Sequence, residues 1–361
     1  MLELKSHRLV IDQKRTFAHH ASTVLPLNNG RVLAAWFGGS QEHNDDVSIY
    51  MAEKDEKGFC APRLMASSME PHWNPVLFQY PDGRIHLFYK VGREIPDWRT
   101  CVRESRDEGK TWSEPRELVS GDRSGGRGPV RNKPLLLKSG RVIAPASTER
   151  GLWVCFMDIS DDMGRTWTRS DPIEAQGTHH LREGIQYWYT QAFQARQEGR
   201  PFDYSQVPPE YQHGRGVIQP TLWEDETGVH ALLRSGEGFI YRTDSFDQGS
   251  TWCEAYPTQV PNNNSGIDLT RMDDGALLLV YNPVGGNFGS RSPLSIAVSR
   301  NGGNSFQRLC DLETEPGEFS YPAIVNRGSR VYITYTWKRD NIAYWEFEWH
   351  GCESKTVDNR D

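Results

Sequence analysis

"SDDMGRTW", residues 160–167, has near copies at three other places: "SRDEGKTW" at 105–112, "SFDQGSTW" at 245–252 and "SRNGGNSF" at 299–306. The shared frame is Ser-x-Asp-x-Gly-x-Thr-Trp, degraded in the last copy. Asp and Gly make a tight turn, because Gly takes a backbone conformation that side chains disfavour. Ser and Thr hydrogen-bond inside that turn, and Trp plugs it from below. "EKDEKGF" at 53–59 reads as a weaker fifth copy. Starts at 53, 105, 160, 245 and 299 lie 52, 55, 85 and 54 residues apart. Three gaps agree, and the long one marks an insertion. A period near 50 residues built on short strands predicts propeller blades. "RVLAAWF", "RIHLFYKV", "RVIAPAS", "GVHALLRS", "ALLLVYNP" and "RVYITYTW" are strand-like, rich in β-branched and aromatic residues, and there are six of them. The expectation is an all-β, six-bladed β-propeller: a single domain over 1–361 with an insertion at 175–215.

A second repeat precedes those strands. It reads "HAST" at 20, "NPVL" at 74, "KPLL" at 133, "QPTL" at 219, "SGID" at 265 and "YPAI" at 321. Each is a polar residue, usually a proline, then an apolar strand that stops at a glycine turn. The innermost strand of a blade lines the central channel, so the polar leads belong at its mouth. His20, Asn74, Lys133, Gln219, Ser265 and Tyr321 should therefore ring one pocket. Six equivalent scaffold positions have no need of six different polar side chains. "HWNP" at 72–75 adds Trp73, and "PNNNSGID" at 261–268 adds Asn264. Indole and amide groups suit sugars, although Asn-rich loops are also ordinary turns. "GGRGPVRNKP" at 125–134 carries Arg127, Arg131 and Lys133, as a solvated basic loop or as anion-binding groups.

Bulk properties narrow the function. Apolar residues make up 37% of the 361 and charged residues 25%, enough for a core and a wet surface. A net charge of −7 with no basic stripe argues against a nucleic-acid partner. No apolar run of about 20 residues exists to span a membrane. The start, "MLELKSHRLVIDQ", lacks an apolar signal core, so a cytoplasmic protein is expected. Cys60, Cys101, Cys155, Cys253, Cys310 and Cys352 are scattered, as idle thiols in a reducing compartment would be. His179 and His180 are adjacent and project differently, and the other histidines show no ligand spacing. No metal and no cofactor are expected. The insertion holds "EGIQYWYTQAFQARQEGR", with Ile185, Tyr189, Phe193 and Trp188 near helical spacing. A short helix and an extended loop are predicted there, as a lid on the pocket, as a contact between copies in a homo-oligomer, or as decoration.

With these repeats the chain resembles the sialidase (neuraminidase) superfamily of six-bladed propellers with Asp boxes, and more narrowly the BNR-repeat "predicted neuraminidase" branch. The resemblance implies an exo-glycoside hydrolase acting on a sialic-acid-like or other carboxylated sugar. "ALLRSGEGFIYRT" is similar to the segment carrying the family's second carboxylate-binding arginine, which implies that role for Arg234. "RSPLSIAVSRNGG" likewise implies the third arginine at Arg291, and "GEFSYPAIV" implies the tyrosine nucleophile at Tyr321. The family's first arginine falls here on His20, and the glutamate that draws off the tyrosine proton falls on Gln219. The acid/base loop matches "GGSQEHNDDVSIY", where Glu42, Asp45 and Asp46 all qualify.

The two departures carry weight. A free tyrosine has a pKa of about 10, so about one in a thousand is ionised at pH 7. Gln219 cannot take its proton. His20 can, since an ordinary histidine titrates near pH 6.5. Blades one and six are neighbours in a closed ring, which would set His20 against Tyr321, and Lys133 would supply a third positive charge. Two rivals remain open: β-elimination on a uronate-containing glycan with His20 or Tyr321 as base, and sugar binding without chemistry.

Overall fold

A computed structural model describes residues 1–12 and 18–351; Cys352 lies outside them. The repeated octapeptides form one turn four times. In the first, Ser105 Oγ donates to Asp107 Oδ1 at 2.9 Å, and Gly109 N donates back to Ser105 Oγ at 2.9 Å. Thr111 binds Asp107 through its amide at 2.8 Å and its hydroxyl at 2.6 Å, and Trp112 Nε1 reaches Gly109 O at 3.0 Å. Gly109 sits at φ +81°, the left-handed region where a side chain is strained. These bonds pull the Asp107 carboxyl down to about 2, led by the Thr111 hydroxyl. The copy at 299 keeps the Ser-to-Gly contact with Asn301 in place of Asp, which is why it folds alike.

Each turn joins strands of a four-stranded antiparallel blade, and there are six such sheets among the described residues. Blade 1 runs Ala18–Pro26, Val32–Gly39, Ser48–Lys54 and Arg63–Ala66. Blade 2 opens at His72–Gln79, blade 3 at Leu135–Leu136, blade 4 at Val217–Glu224, blade 5 at Asp268–Arg271 and blade 6 at Phe319–Arg327. The blades pack through apolar layers such as Leu33, Ile49, Leu87 and Trp73. The six-bladed expectation holds.

The last blade is closed by a strand from the other end of the chain. Leu2–Leu9 pairs antiparallel with Asn341–Trp349, Leu2 opposite Trp349 and Leu9 opposite Ala343. Its exposed, polar pattern gives no strand signal in the sequence.

The 175–215 insertion lies between blades 3 and 4. Its helix spans Arg182–Gln197, followed by single 3₁₀ turns at Tyr204–Gln206 and Pro209–Tyr211. Ile185 faces the propeller with Leu152 and Leu181. His179 binds Glu254 and, at 3.1 Å, Glu174, tying the entry of the insertion to blade 4.

Candidate active site

Four inner strands break register at their first turn: between His20 and Thr23, Trp73 and Val76, Ile218 and Thr221, and Ser320 and Ala323. The residues at the breaks take positive φ: Ala21 51°, Asn74 43°, Gln219 54° and Tyr321 53°. A non-glycine residue there costs about 1–2 kcal/mol. Such bulges re-aim a side chain, and backbone strain gathered at one end of a fold marks function. The structure shifts two positions read from the repeat. Ala21, not His20, takes the bulge in blade 1, and in blade 5 Asn264 at φ +56° takes a left-handed turn just before Ser265. Both blades lack the proline that follows the bulge in blades 2, 4 and 6, and in blade 3 Lys133 precedes a proline without any bulge.

Tyr321 stands at the centre of the cluster. Its hydroxyl accepts from Arg234 Nη1 at 3.0 Å. The same guanidinium donates to Gln219 Oε1 at 3.2 Å and, through Nε, to Asn264 Oδ1 at 2.8 Å. Arg131, Arg291 and Arg234 place their guanidinium carbons 5.3, 5.5 and 5.7 Å from the tyrosine ring centre. His20 packs its ring 4.3 Å from that of Tyr321. Tyr321, His20, Gln219, Arg234, Arg291, Arg131 and Asn264 thus meet in one place.

The charges there are unbalanced. Arg291 binds Glu318 Oε1 at 2.6 Å, and Arg339 binds Glu318 Oε2 at 2.8 Å. Arg339 also binds Glu42, so Arg291 and Arg339 are matched by two carboxylates and the excess positive charge lies at Arg131 and Arg234. Burial would raise the Glu318 carboxyl, but the Arg339 hydrogen bond and the two charges outweigh it and hold it below the usual range. Arg131 and Arg234 are 2% and 4% exposed and have no carboxylate partner among the described residues. Arg131 donates instead to Pro322 O at 2.6 Å and Asn132 Oδ1 at 3.1 Å, with Nε unpartnered. Burial brings Arg131 down to about 10, so it stays charged at neutral pH. A buried cation without an anion is unfavourable unless a ligand supplies one.

His20 is a neutral imidazole. Burial first, then the charges of Arg339, Arg291, Arg131 and Arg234, push it well below the ordinary value. Its Nδ1 lies 2.9 Å from Thr336 Oγ1, and its Nε2 has no partner among the described residues.

Other expected residues lie elsewhere. Lys133 does not supply the third charge: its ammonium is held by Asp268 at 3.0 and 2.9 Å and by Leu269 O at 2.8 Å. Asp268 also accepts from Thr221 Oγ1 at 2.6 Å and Ile324 N at 2.9 Å, so this pair ties the inner strands together across the channel. Trp73 is 2% exposed, donates to Gly92 O at 2.8 Å and packs under the site, and Asn74 is buried beside it. Glu42 is bound by Arg339. Asp45 pairs with Arg93 at 2.8 Å on the exposed rim, which lowers its carboxyl. Asp46 caps the turn, accepting from Ser40 N and Oγ at 2.9 Å each.

Sequence reading missed Arg339, Glu318 and Glu149. Arg339 sits beside His20's strand, its carbonyl accepting from His19 N at 2.8 Å, and brings a cation to the side where the first arginine was expected. It follows the second strand of blade 6, as Arg291 follows that of blade 5, and this loop repeat is the signal that would have found it.

A cavity of about 900 Å³ opens beside the cluster, between the propeller and the insertion. Trp188, Tyr189, Phe202, Tyr211 and Phe288 give it an aromatic wall, Glu149 and His43 face it from the propeller side, and His213 faces it from the end of the insertion. His213 packs 5.2 Å from Trp153, and Arg234 lies 5.5 Å over the same indole.

The BNR repeat-like domain family matches residues 30–333. No curated protein matches the chain in sequence. Among solved structures, a protein of unknown function from Dyadobacter fermentans superposes with a TM-score of 0.70 at 18% identity, covering 96% of this chain and 99% of the other. The NanB sialidase of Streptococcus pneumoniae gives 0.67 at 13% identity, over 96% and 70%. The intramolecular trans-sialidase of Ruminococcus gnavus, solved with oseltamivir carboxylate, gives 0.63 at 14% identity, over 95% and 97%. With its four turns, six blades and a family match over most of its length, the chain belongs to the BNR repeat-like domain family and shares the sialidase propeller fold.

Proposed function

We propose that the protein is an exo-glycoside hydrolase of an acidic sugar, sialic-acid-like or otherwise carboxylated, with Tyr321 as nucleophile. The observation that carries this is the pair of buried guanidiniums, Arg131 and Arg234, lacking an anion beside the Tyr321 hydroxyl. A substrate carboxylate fits them, because a planar guanidinium binds a carboxylate through two parallel hydrogen bonds. Arg291 adds a third cation. A neutral tyrosine approaches an anionic sugar without charge repulsion, unlike the carboxylate nucleophile of most retaining glycosidases.

Gln219 holds Arg234 and takes no proton. His20 Nε2 is the acceptor for the Tyr321 proton. In the empty site burial, and after it the arginines, make His20 a weak base. A bound carboxylate offsets the arginine part of that shift, while the larger part, from burial, remains.

The neutral, unpartnered His20 Nε2 also favours a second reading, β-elimination from a uronate. There the arginines would stabilise charge on the carboxylate while His20 removed the neighbouring proton. Incubation with sialosides and with uronate oligosaccharides separates the two. Hydrolysis releases a reducing acidic sugar with no new ultraviolet absorbance. Elimination yields an unsaturated product that absorbs near the ultraviolet edge. Tight binding of either glycan with neither product would overturn both readings and leave a binding propeller.

A further inference from the structure

A glycosidase needs a neutral carboxyl facing the bond to be cut, and the acids of the blade 1 loop are all engaged. Glu42 is ion-paired to Arg339, Asp45 to Arg93, and Asp46 is consumed by its turn. We propose that the proton donor is Glu149, on the corresponding loop of blade 3, and that the leaving group lies in the aromatic cavity under the insertion. This rests on the hydrolase reading above. Glu149 follows the strand Val142–Thr148, as Glu42, Asp45 and Asp46 follow Val32–Gly39, so both loops open on the face that carries Tyr321. It lines the cavity and has no ion pair or hydrogen bond through its side chain among the described residues. The charged and titratable groups sharing that cavity are Arg93, Glu94, Arg196, His43 and His213 with the phenols of Tyr189, Tyr204 and Tyr211, and Arg196 is neutralised by Glu94. Arg234 is the one charge that pulls Glu149 toward ionisation; burial prevails and raises it. Desolvation, and then the charge of Arg234, lowers the His213 imidazole.

The step balances. Glu149 gives its proton to the glycosidic oxygen as the bond from that oxygen to the anomeric carbon breaks, the electron pair staying on the oxygen. Tyr321 Oη forms the new bond to that carbon, and its proton passes to His20. Water then reverses the sequence: its hydroxyl goes to the anomeric carbon and its proton to Glu149, while Tyr321 recovers its own from His20. The aromatic wall of Trp188, Tyr189 and Phe202 suits the flat face of a sugar or an aryl group.

Two measurements test it. Carbon-13 NMR of glutamate-labelled protein, with Glu149 assigned by its absence in Glu149→Asp, should show a carboxyl titrating above the ordinary value of about 4.3. Titration at or below that value overturns the assignment without any substrate. Kinetics then compare a nitrophenyl and an alkyl glycoside of one acidic sugar. Glu149→Gln should lower turnover of the alkyl glycoside by about 10²–10⁴-fold, leave the nitrophenyl glycoside within a few-fold, and remove the alkaline limb of the pH profile. Glu149→Asp should recover part of the loss, and it serves alone if the Gln variant fails to fold. Equal effects on the two leaving groups, or none, overturn Glu149 and leave the hydrolase reading standing. A wild-type protein inactive on every acidic glycoside removes that reading, and the donor with it.

Discussion

Replacing Tyr321 with phenylalanine separates a chemical tyrosine from a structural one. The mutant keeps the ring, its packing against His20 at 4.3 Å and the three guanidiniums around it. It loses one hydrogen bond, from Arg234 Nη1 at 3.0 Å. Arg234 retains Gln219 and Asn264, so no buried charge is left without partners. The cost is about 1 kcal/mol. For a chain of this size that lowers the melting temperature by about 1–3 °C. Turnover should fall by a factor on the order of 10³–10⁶, as when other enzymes lose their nucleophile. Binding of a carboxylated sugar should stay within about threefold, since Arg131, Arg234 and Arg291 remain, and about threefold is less than 1 kcal/mol. Calorimetric melting, initial rates and titration with a non-cleavable acidic sugar measure the three quantities. A variant that turns over its substrate at near wild-type rate would refute the nucleophile. A fall of ten degrees or more with rate per folded molecule unchanged would make Tyr321 a packing residue.

Three further outcomes are expected. Asp268→Asn leaves the half-buried Lys133 ammonium without its anion and should cost about 1–3 kcal/mol by denaturant melting; no measurable loss would show the pair to be dispensable. His86, 1% exposed, is lowered by burial to about 4, whereas an unfolded histidine titrates near 6.5. The unfolded chain binds more protons between those values, so the stabilising contribution is full above pH 6.5 and fades as pH falls toward 4, by about 3 kcal/mol. His86→Gln should flatten that slope in pH-dependent denaturation, and an unchanged slope would place the proton elsewhere. Replacing residues 178–213 with a short linker should leave the propeller folded and weaken substrate affinity several-fold; loss of folding, or loss of self-association alone, would count against a lid.

What the sequence disclosed depended on how local each feature was. An Asp-box turn closes within eight residues, so its motif is complete in one window. Tyr321 and Gln219 were legible because a proline follows each and marks the bulge. His20 and Ser265 were read out of place because blades 1 and 5 carry no such marker. The pairings that decide the chemistry are distant: Arg339 reaches Glu42 across 297 residues, and Lys133 reaches Asp268 across 135. Nothing in the string "RNKP" distinguishes the cation that faces the tyrosine from the one that braces the channel. Glu149 stands between a threonine and an arginine with no motif, and its place in the cavity depends on an insertion folding back over blade 3.

The strand Leu2–Leu9 has a consequence for how the molecule is made. Its partner, Asn341–Trp349, is synthesised more than 330 residues later. At a ribosomal pace of about 5–20 residues per second, Leu2–Leu9 waits roughly half a minute for its neighbour. Five blades can gather in order while the sixth has only its outer strand in hand and lacks the three inner ones. Trimming the first nine residues and trimming the last strand therefore strike the same sheet from opposite directions.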